Sequence, residues 1–234
     1  MQDCLRANKD RMIDRFEALS IAPSASTLVM IRAAGRRRSG EVLALGNPVT
    51  DMQPLPAALE EVKVIGKTFD KATVRVGSRA SKDLFMKRAS GARLIHVASH
   101  GVFLPERPMN SYLALSGQPP TEGRLSAEEI LQLDLSQTEM IVLSACDTGR
   151  SEIAAGDEVI GLTRAFLHAG TRTLVASLWP LSDKSASSMV RKFYASYSKG
   201  LSPERSLNEA LRLVKSEPEF SHPFFWAPFE LFGG

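Results

Sequence analysis

The sequence predicts an α/β fold of three layers, a mostly parallel central sheet with helices on both faces. Three observations predict it. Short β-rich runs alternate with amphipathic helical patterns, the order that a parallel sheet with crossover helices requires. Two runs, Arg93-Leu94-Ile95-His96-Val97-Ala98 and Met140-Ile141-Val142-Leu143-Ser144, are almost continuously apolar, as strands buried on both faces must be. With 44% hydrophobic and 24% charged residues over 234, the chain has the composition of a soluble domain that can bury a real core.

The elements follow in order. Residues 42–45 read as a strand, and Leu55, Leu59, Val62, Ile65 and Phe69 recur at helical spacing behind it. A second strand is expected at 73–76. Ser81 then offers its hydroxyl to cap a short helix that ends near Arg88. After the apolar run at 93–98 come a short strand at 112–115 and a small helix opened by Ser126, with Glu129 three residues on to complete a capping box. The second apolar run leads to a helix over 157–168, stopped by Gly170, and to a strand at 173–178. Two amphipathic helices follow. One carries Ala186, Met189, Val190, Phe193 and Tyr197 on a single face; the other starts at Ser202-Pro203 and carries Leu207, Ala210, Leu211 and Val214. The aromatic run at 224–232 reads as a last strand with Pro228 near its start. Residues 1–25 carry no strand and are expected to be the tail of an upstream helical region, leaving 26–234 as one domain.

Charge and cysteine usage exclude several classes. The formal charge is +3, aromatics are not interleaved with basic runs, and Arg36-Arg37-Arg38 lies among Gly35, Ser39 and Gly40 as a solvated loop does. Direct binding of nucleic acid is not expected. The two cysteines, Cys4 and Cys146, lie far apart, which argues against a disulfide framework and for a reducing, cytoplasmic setting. The chain has neither a signal-peptide core nor an apolar run of membrane-spanning length, so no membrane partner is expected.

Open α/β sheets bind their ligands outside the carboxyl ends of the strands. Ser99-His100-Gly101 follows the first apolar run and Ala145-Cys146-Asp147-Thr148-Gly149 follows the second. If those strands are neighbours, His100 and Cys146 open into one crevice with the parts of thiol acyl chemistry: a thiolate to attack a carbonyl and an imidazole to manage the proton. Gly101 permits close backbone approach, and its N–H with that of Cys146 would form an oxyanion hole worth about 3 kcal/mol. Singly, each residue has an ordinary use, cysteine as a small buried hydrophobe and histidine as a satisfied structural group. The pairing is what points to catalysis. His96 and His100 are four apart, but His96 lies within a strand and no cysteine or glutamate cluster completes a zinc set, so neither metal nor cofactor is expected. His168 suits a helix C-terminus and His222 a terminal loop, both structural.

The segments Leu94-Ile95-His96-Val97-Ala98-Ser99-His100-Gly101 and Val142-Leu143-Ser144-Ala145-Cys146-Asp147-Thr148-Gly149 resemble the CHAT family of caspase-like proteins related to separase. Similar blocks recur in family order at Pro108-Met109-Asn110-Ser111-Tyr112-Leu113-Ala114-Leu115, at 161–170, at Ala176-Ser177-Leu178-Trp179-Pro180 and at Trp226-Ala227-Pro228-Phe229. The resemblance implies a caspase-like sheet with His100 as base and Cys146 as nucleophile. It also implies choice of substrate through the residue before the scissile bond, basic in the separase-like branch. Asp183 matches the segment carrying the acidic pocket residue and would take Arg or Lys by a charge-assisted contact, unless it caps the helix that begins there. Asp157 is a second candidate, equally usable as a helix-start residue. Family members usually carry more chain before the segment matching Ser24-Ala25-Ser26-Thr27, often with helical repeats, so the domain is expected to be shortened at its N-terminus.

The expected function is cysteine endopeptidase activity on a specific protein partner after a basic residue. It is expected to stay latent until an upstream helical-repeat or regulatory partner reorders the Gly-rich loop at 149–156. The alternatives are a catalytically silent scaffold for protein–protein interaction and a thiol acyltransferase.

Overall fold

The computed structural model describes residues 11–22, 24, 28–29, 40–104, 106–146, 160–179 and 182–234. In chain order the elements are α1 (Met12–Arg15), β1 (Glu41–Pro48), α2 (Pro56–Thr68), β2 (Ala72–Gly77), α3 (Lys82–Arg88), β3 (Ala92–Val102), β4 (Tyr112–Ala114), β5 (Arg124–Ser126), α4 (Ala127–Leu131), β6 (Met140–Cys146), α5 (Ile160–His168), β7 (Thr173–Ser177), α6 (Asp183–Tyr197), α7 (Pro203–Lys215) and β8 (Phe229–Gly233). Among the described residues one sheet contains eight strands, ordered β2-β1-β3-β6-β7-β8, with β4 paired to β3 and β5 to β4. Strands β2, β1, β3, β6 and β7 run parallel and β8 closes the row antiparallel. Among the described residues, no helix is long and apolar enough to cross a membrane.

Strand alternation sorts the core into two layers. Leu43, Leu45, Ile95, Val97, Ile141 and Leu143 face Phe85 of α3, Ile130 of α4 and Leu162 and Phe166 of α5. Val42, Ala44, Leu94, Met140 and Val142 face Val62 and Ile65 of α2, Met189, Phe193 and Tyr194 of α6, and Leu207 and Leu211 of α7. Each such buried side chain contributes about 1.5–3 kcal/mol, so the helix stripes legible in the sequence are the fold's main support. The caps act as their residue types dictate: Ser81 accepts from Leu84 N–H, and Ser126 and Glu129 form a reciprocal capping box.

Several boundaries differ from the sequence reading: β6 runs on to Cys146 where the second apolar run was read to end at Ser144, so Cys146 closes its strand and does not follow it. The first apolar strand does not stop at Ala98 but runs to Val102, because β4 takes over one edge of β3 where β1 leaves it: β1 pairs with β3 up to Ala98, and β4 pairs with His100, Gly101 and Val102. The short strand β5 was not foreseen; it exists as the partner of β4. The final strand begins only at Phe229. Pro223–Phe225 is a 3-10 turn capped by His222, whose Nδ1 accepts from Phe224 N–H, and Pro228, lacking an N–H, instead gives its carbonyl to Leu178.

Residues 11–21 lie along α7 and the sheet edge. Ile13 is buried, Arg212 Nη2 donates to the Phe16 carbonyl at 3.0 Å, and Lys215 pairs with Asp14. Ile21 bridges to β8, donating to Leu231 O at 2.7 Å and accepting from Gly233 N at 2.8 Å.

Candidate active site

β3 and β6 are adjacent and parallel, and their register ends on the pair His100 and Cys146. The two residues expected to form the dyad are therefore direct cross-strand neighbours in backbone register. Cys146 is the last residue of β6; its side chain lies outside the described residues. His100 does not follow its strand, as the sequence suggested, but sits inside it, paired with Cys146 on one side and Ala114 of β4 on the other. It is 3% exposed. Gly101, the expected oxyanion donor, is buried in the same strand opposite Leu113.

The ring of His100 is held from the loop between β1 and α2, where Nε2 lies 2.6 Å from the backbone carbonyl of Gln53. A carbonyl only accepts, so Nε2 carries the hydrogen and Nδ1 is the basic nitrogen of the neutral ring. This loop is fastened at three points. Asn47, at φ +46° in the left-handed region that asparagine tolerates, accepts the N–H of Leu55 through Oδ1 at 2.7 Å. Ser116 Oγ accepts from Val49 N–H at 2.8 Å, and Thr50 Oγ1 accepts from Met52 N–H at 3.1 Å. Sequence reasoning missed Gln53 because a backbone carbonyl leaves no side-chain signature; the Asn47-Pro48 turn signal was the available clue.

Below the dyad on the α2 and α6 side lies a buried polar cluster that was also missed. Glu61 of α2 and His96 of β3 are 2% and 0% exposed, with Oε2 and Nε2 3.3 Å apart. Ser144 of β6 donates to Glu61 Oε1 at 3.2 Å, and His96 Nδ1 is 3.1 Å from the Tyr194 hydroxyl. Burial pushes the Tyr194 phenol well above its ordinary range, with Tyr197 and Glu61 adding to the effect, so it remains a neutral hydroxyl. The clue in the sequence was a glutamate within the apolar stripe Ala58, Val62, Ile65. Among the described residues, no group of three or more histidine, cysteine, aspartate or glutamate side chains is arranged to hold a metal ion.

The pocket candidates are less defined. Asp183 is the first residue of α6, and the capping role that was its alternative use belongs to Ser182, whose Oγ accepts from Ser185 N–H at 3.3 Å. The Asp183 side chain, Asp157 and the loop at 149–156 lie outside the described residues.

The mostly parallel sheet with a helical layer on each face is a caspase-like α/β fold. By match over residues 3–234 the chain belongs to the CHAT domain family. It is 31% identical to human tetratricopeptide repeat protein 28 over an alignment of 275 positions, covering 97% of this chain and 11% of that protein. The mouse protein of the same name is 30% identical over 213 positions, covering 77% and 9%. The chain thus spans about a tenth of the length of these curated relatives. Among solved structures, Saccharomyces cerevisiae separase in complex with securin superposes with a TM-score of 0.62 at 15% identity, covering 93% of this chain and 14% of separase. The Arg-specific cysteine proteinase gingipain R superposes at 0.58 with 11% identity, covering 89% and 51%. At such identities the likeness is one of fold.

Proposed function

We propose that this chain is a cysteine endopeptidase domain in which Cys146 is the nucleophile and His100 the general base and acid. The observation that carries the reading is the register pair His100 and Cys146 at the end of two adjacent parallel strands, with the imidazole tautomer set by the Gln53 carbonyl. In the reaction, Cys146 passes its proton to His100 Nδ1 and the thiolate attacks the peptide carbonyl. The oxyanion takes hydrogen bonds from the N–H groups of Gly101 and Cys146, and the amine leaves with the proton from the imidazolium. Water, deprotonated by His100, then hydrolyses the thioester and frees the thiol.

The substrate in this reading is a protein partner cut after Arg or Lys, with Asp183 as the pocket carboxylate and Asp157 as the second candidate. The Arg specificity stated for gingipain R supports a basic residue at that position. Activity stays latent in the isolated chain and depends on an upstream repeat or regulatory partner, in keeping with relatives that are named for tetratricopeptide repeats and are about ten times longer. Those same names favour the second reading, a silent scaffold for protein interaction.

Labelling with acyloxymethyl-ketone probes bearing Arg or Lys decides between the two. Expected is labelling of the wild type when that partner is present, lost in Cys146→Ala and weakened in Asp183→Ala. If folded full-length protein, together with its partner, never labels, the scaffold reading stands.

A further inference from the structure

We propose that Glu61 is a positioning residue for the dyad: a single buried carboxylate that ties together the three elements carrying it. This rests on the peptidase reading above. One oxygen of Glu61 accepts from Ser144, which lies on β6 two residues before Cys146. The other faces His96, which lies on β3 four residues before His100. Glu61 itself is on α2, the helix entered directly from the loop that presents the Gln53 carbonyl to His100. The strand of the nucleophile, the strand of the base and the helix that follows the loop orienting the base therefore meet at one side chain.

The energetics argue for a purpose beyond packing. Burying a carboxylate costs several kcal/mol, and an apolar side chain of similar volume in such a site is often as stable or more so. Packing alone would favour leucine or methionine here, since Ala58, Val62 and Ile65 on the same face are apolar. What the charge adds is direction. A carboxylate with two oxygens fixes where α2, and the loop leading into it, stands over β3 and β6, whose own spacing the backbone ladder sets; dispersion contacts between smooth side chains do not specify that position. The groups facing it are His96, Ser144 and, through His96, Tyr194. The His96 Nε2 and Glu61 Oε2 atoms lie 3.3 Å apart without the geometry of a hydrogen bond, so the contact is a polar one that depends on the carboxyl group being there.

The test reads thiol reactivity, not peptide cleavage. In a Cys4→Ser background of the full chain, the rate of Cys146 alkylation by iodoacetamide is followed against pH. A thiolate supported by His100 reacts well below the usual thiol pKa of about 8.5, and His100→Ala removes that low-pH limb. Glu61→Gln is expected to slow the low-pH reaction about 10- to 100-fold, the scale of a displacement of about 1 Å in a catalytic pair. Ser144→Ala, which removes one hydroxyl and serves if Glu61→Gln does not fold, is expected to slow it in the same direction by less. Variants that melt lower but keep the wild-type low-pH limb overturn the proposal, because Glu61 then acts on stability alone. A limb indifferent to His100→Ala overturns the dyad itself, a separate outcome.

Discussion

The side-chain carbonyl of Asn47 accepts the backbone N–H of Leu55 at 2.7 Å, a clasp between residues eight positions apart. Gln53 lies between them, and its carbonyl is the partner of His100 Nε2. Asn47→Gly keeps the positive φ but loses the clasp, so the carbonyl is no longer held against the imidazole. Expected is a fall of at least about 10-fold in kcat with little change in KM and a nearly native melting curve. Asn47→Ala loses the clasp and also strains the backbone, and should melt lower than Asn47→Gly.

Gly46 sets how closely α2 approaches the sheet. A Cβ there would lie 2.8 Å from the carbonyl of Ala58 and 2.8 Å from Val62 Cγ1. Gly46→Ala should therefore destabilise by about 1–3 kcal/mol through overpacking, seen as a lower denaturant midpoint with an unchanged slope. Probe labelling should fall with it, since the displaced helix carries the loop that holds His100.

At the opposite end of the strands, Arg93 is paired with Glu139 at 3.1 Å and donates to the Tyr197 hydroxyl at 3.0 Å. Both charged side chains are largely buried. Arg93→Met leaves Glu139 uncompensated and should cost about 3–5 kcal/mol, whereas adding Glu139→Gln should recover a good part of that loss. Additive losses in chemical denaturation would show that the pair is not coupled.

Tyr194 has a pH signature. Burial, with Tyr197 and Glu61 adding to it, raises its folded-state pKa well above the unfolded value of 10.0. The folded chain holds that proton more tightly, so the contribution is complete below pH 10 and is lost as pH rises through the folded pKa. Its phenolate absorbance should accordingly appear together with the loss of near-UV dichroism at alkaline pH. Tyr194→Phe should abolish that component and soften the alkaline destabilisation, at a cost of about 1–3 kcal/mol at neutral pH for leaving His96 Nδ1 unpaired.

How much of this was legible in the sequence depended on whether a residue's role is local. Ser81, Ser126 with Glu129, and the stripe from Ala186 to Tyr197 act through partners three or four positions away, and periodicity finds such pairs. The two apolar runs declared themselves central because a strand covered on both faces has no polar side. The end of β3 was not legible, since Ser99 and His100 become strand by pairing with the end of β6, and His100, Gly101 and Val102 by pairing with β4 when it returns. Gln53 was hidden because its contribution is a carbonyl, common to every residue. Glu61 was hidden because its partners, on β3 and β6, are 35 and 83 residues away. The aromatic run at 224–232 misled in the other direction, since Pro223 and Pro228 convert its first half into a turn.

The contact between Ile21 and Phe232 has a mechanical side. It gives β8 a partner on the edge away from β7, so a pull on residues 11–21 is shared between their contacts to α7 and that bridge before it reaches the rest of the sheet. His100 and Cys146 stand inward of β8 and β7, so the domain would yield some length under tension before the force reached the strands on which they sit.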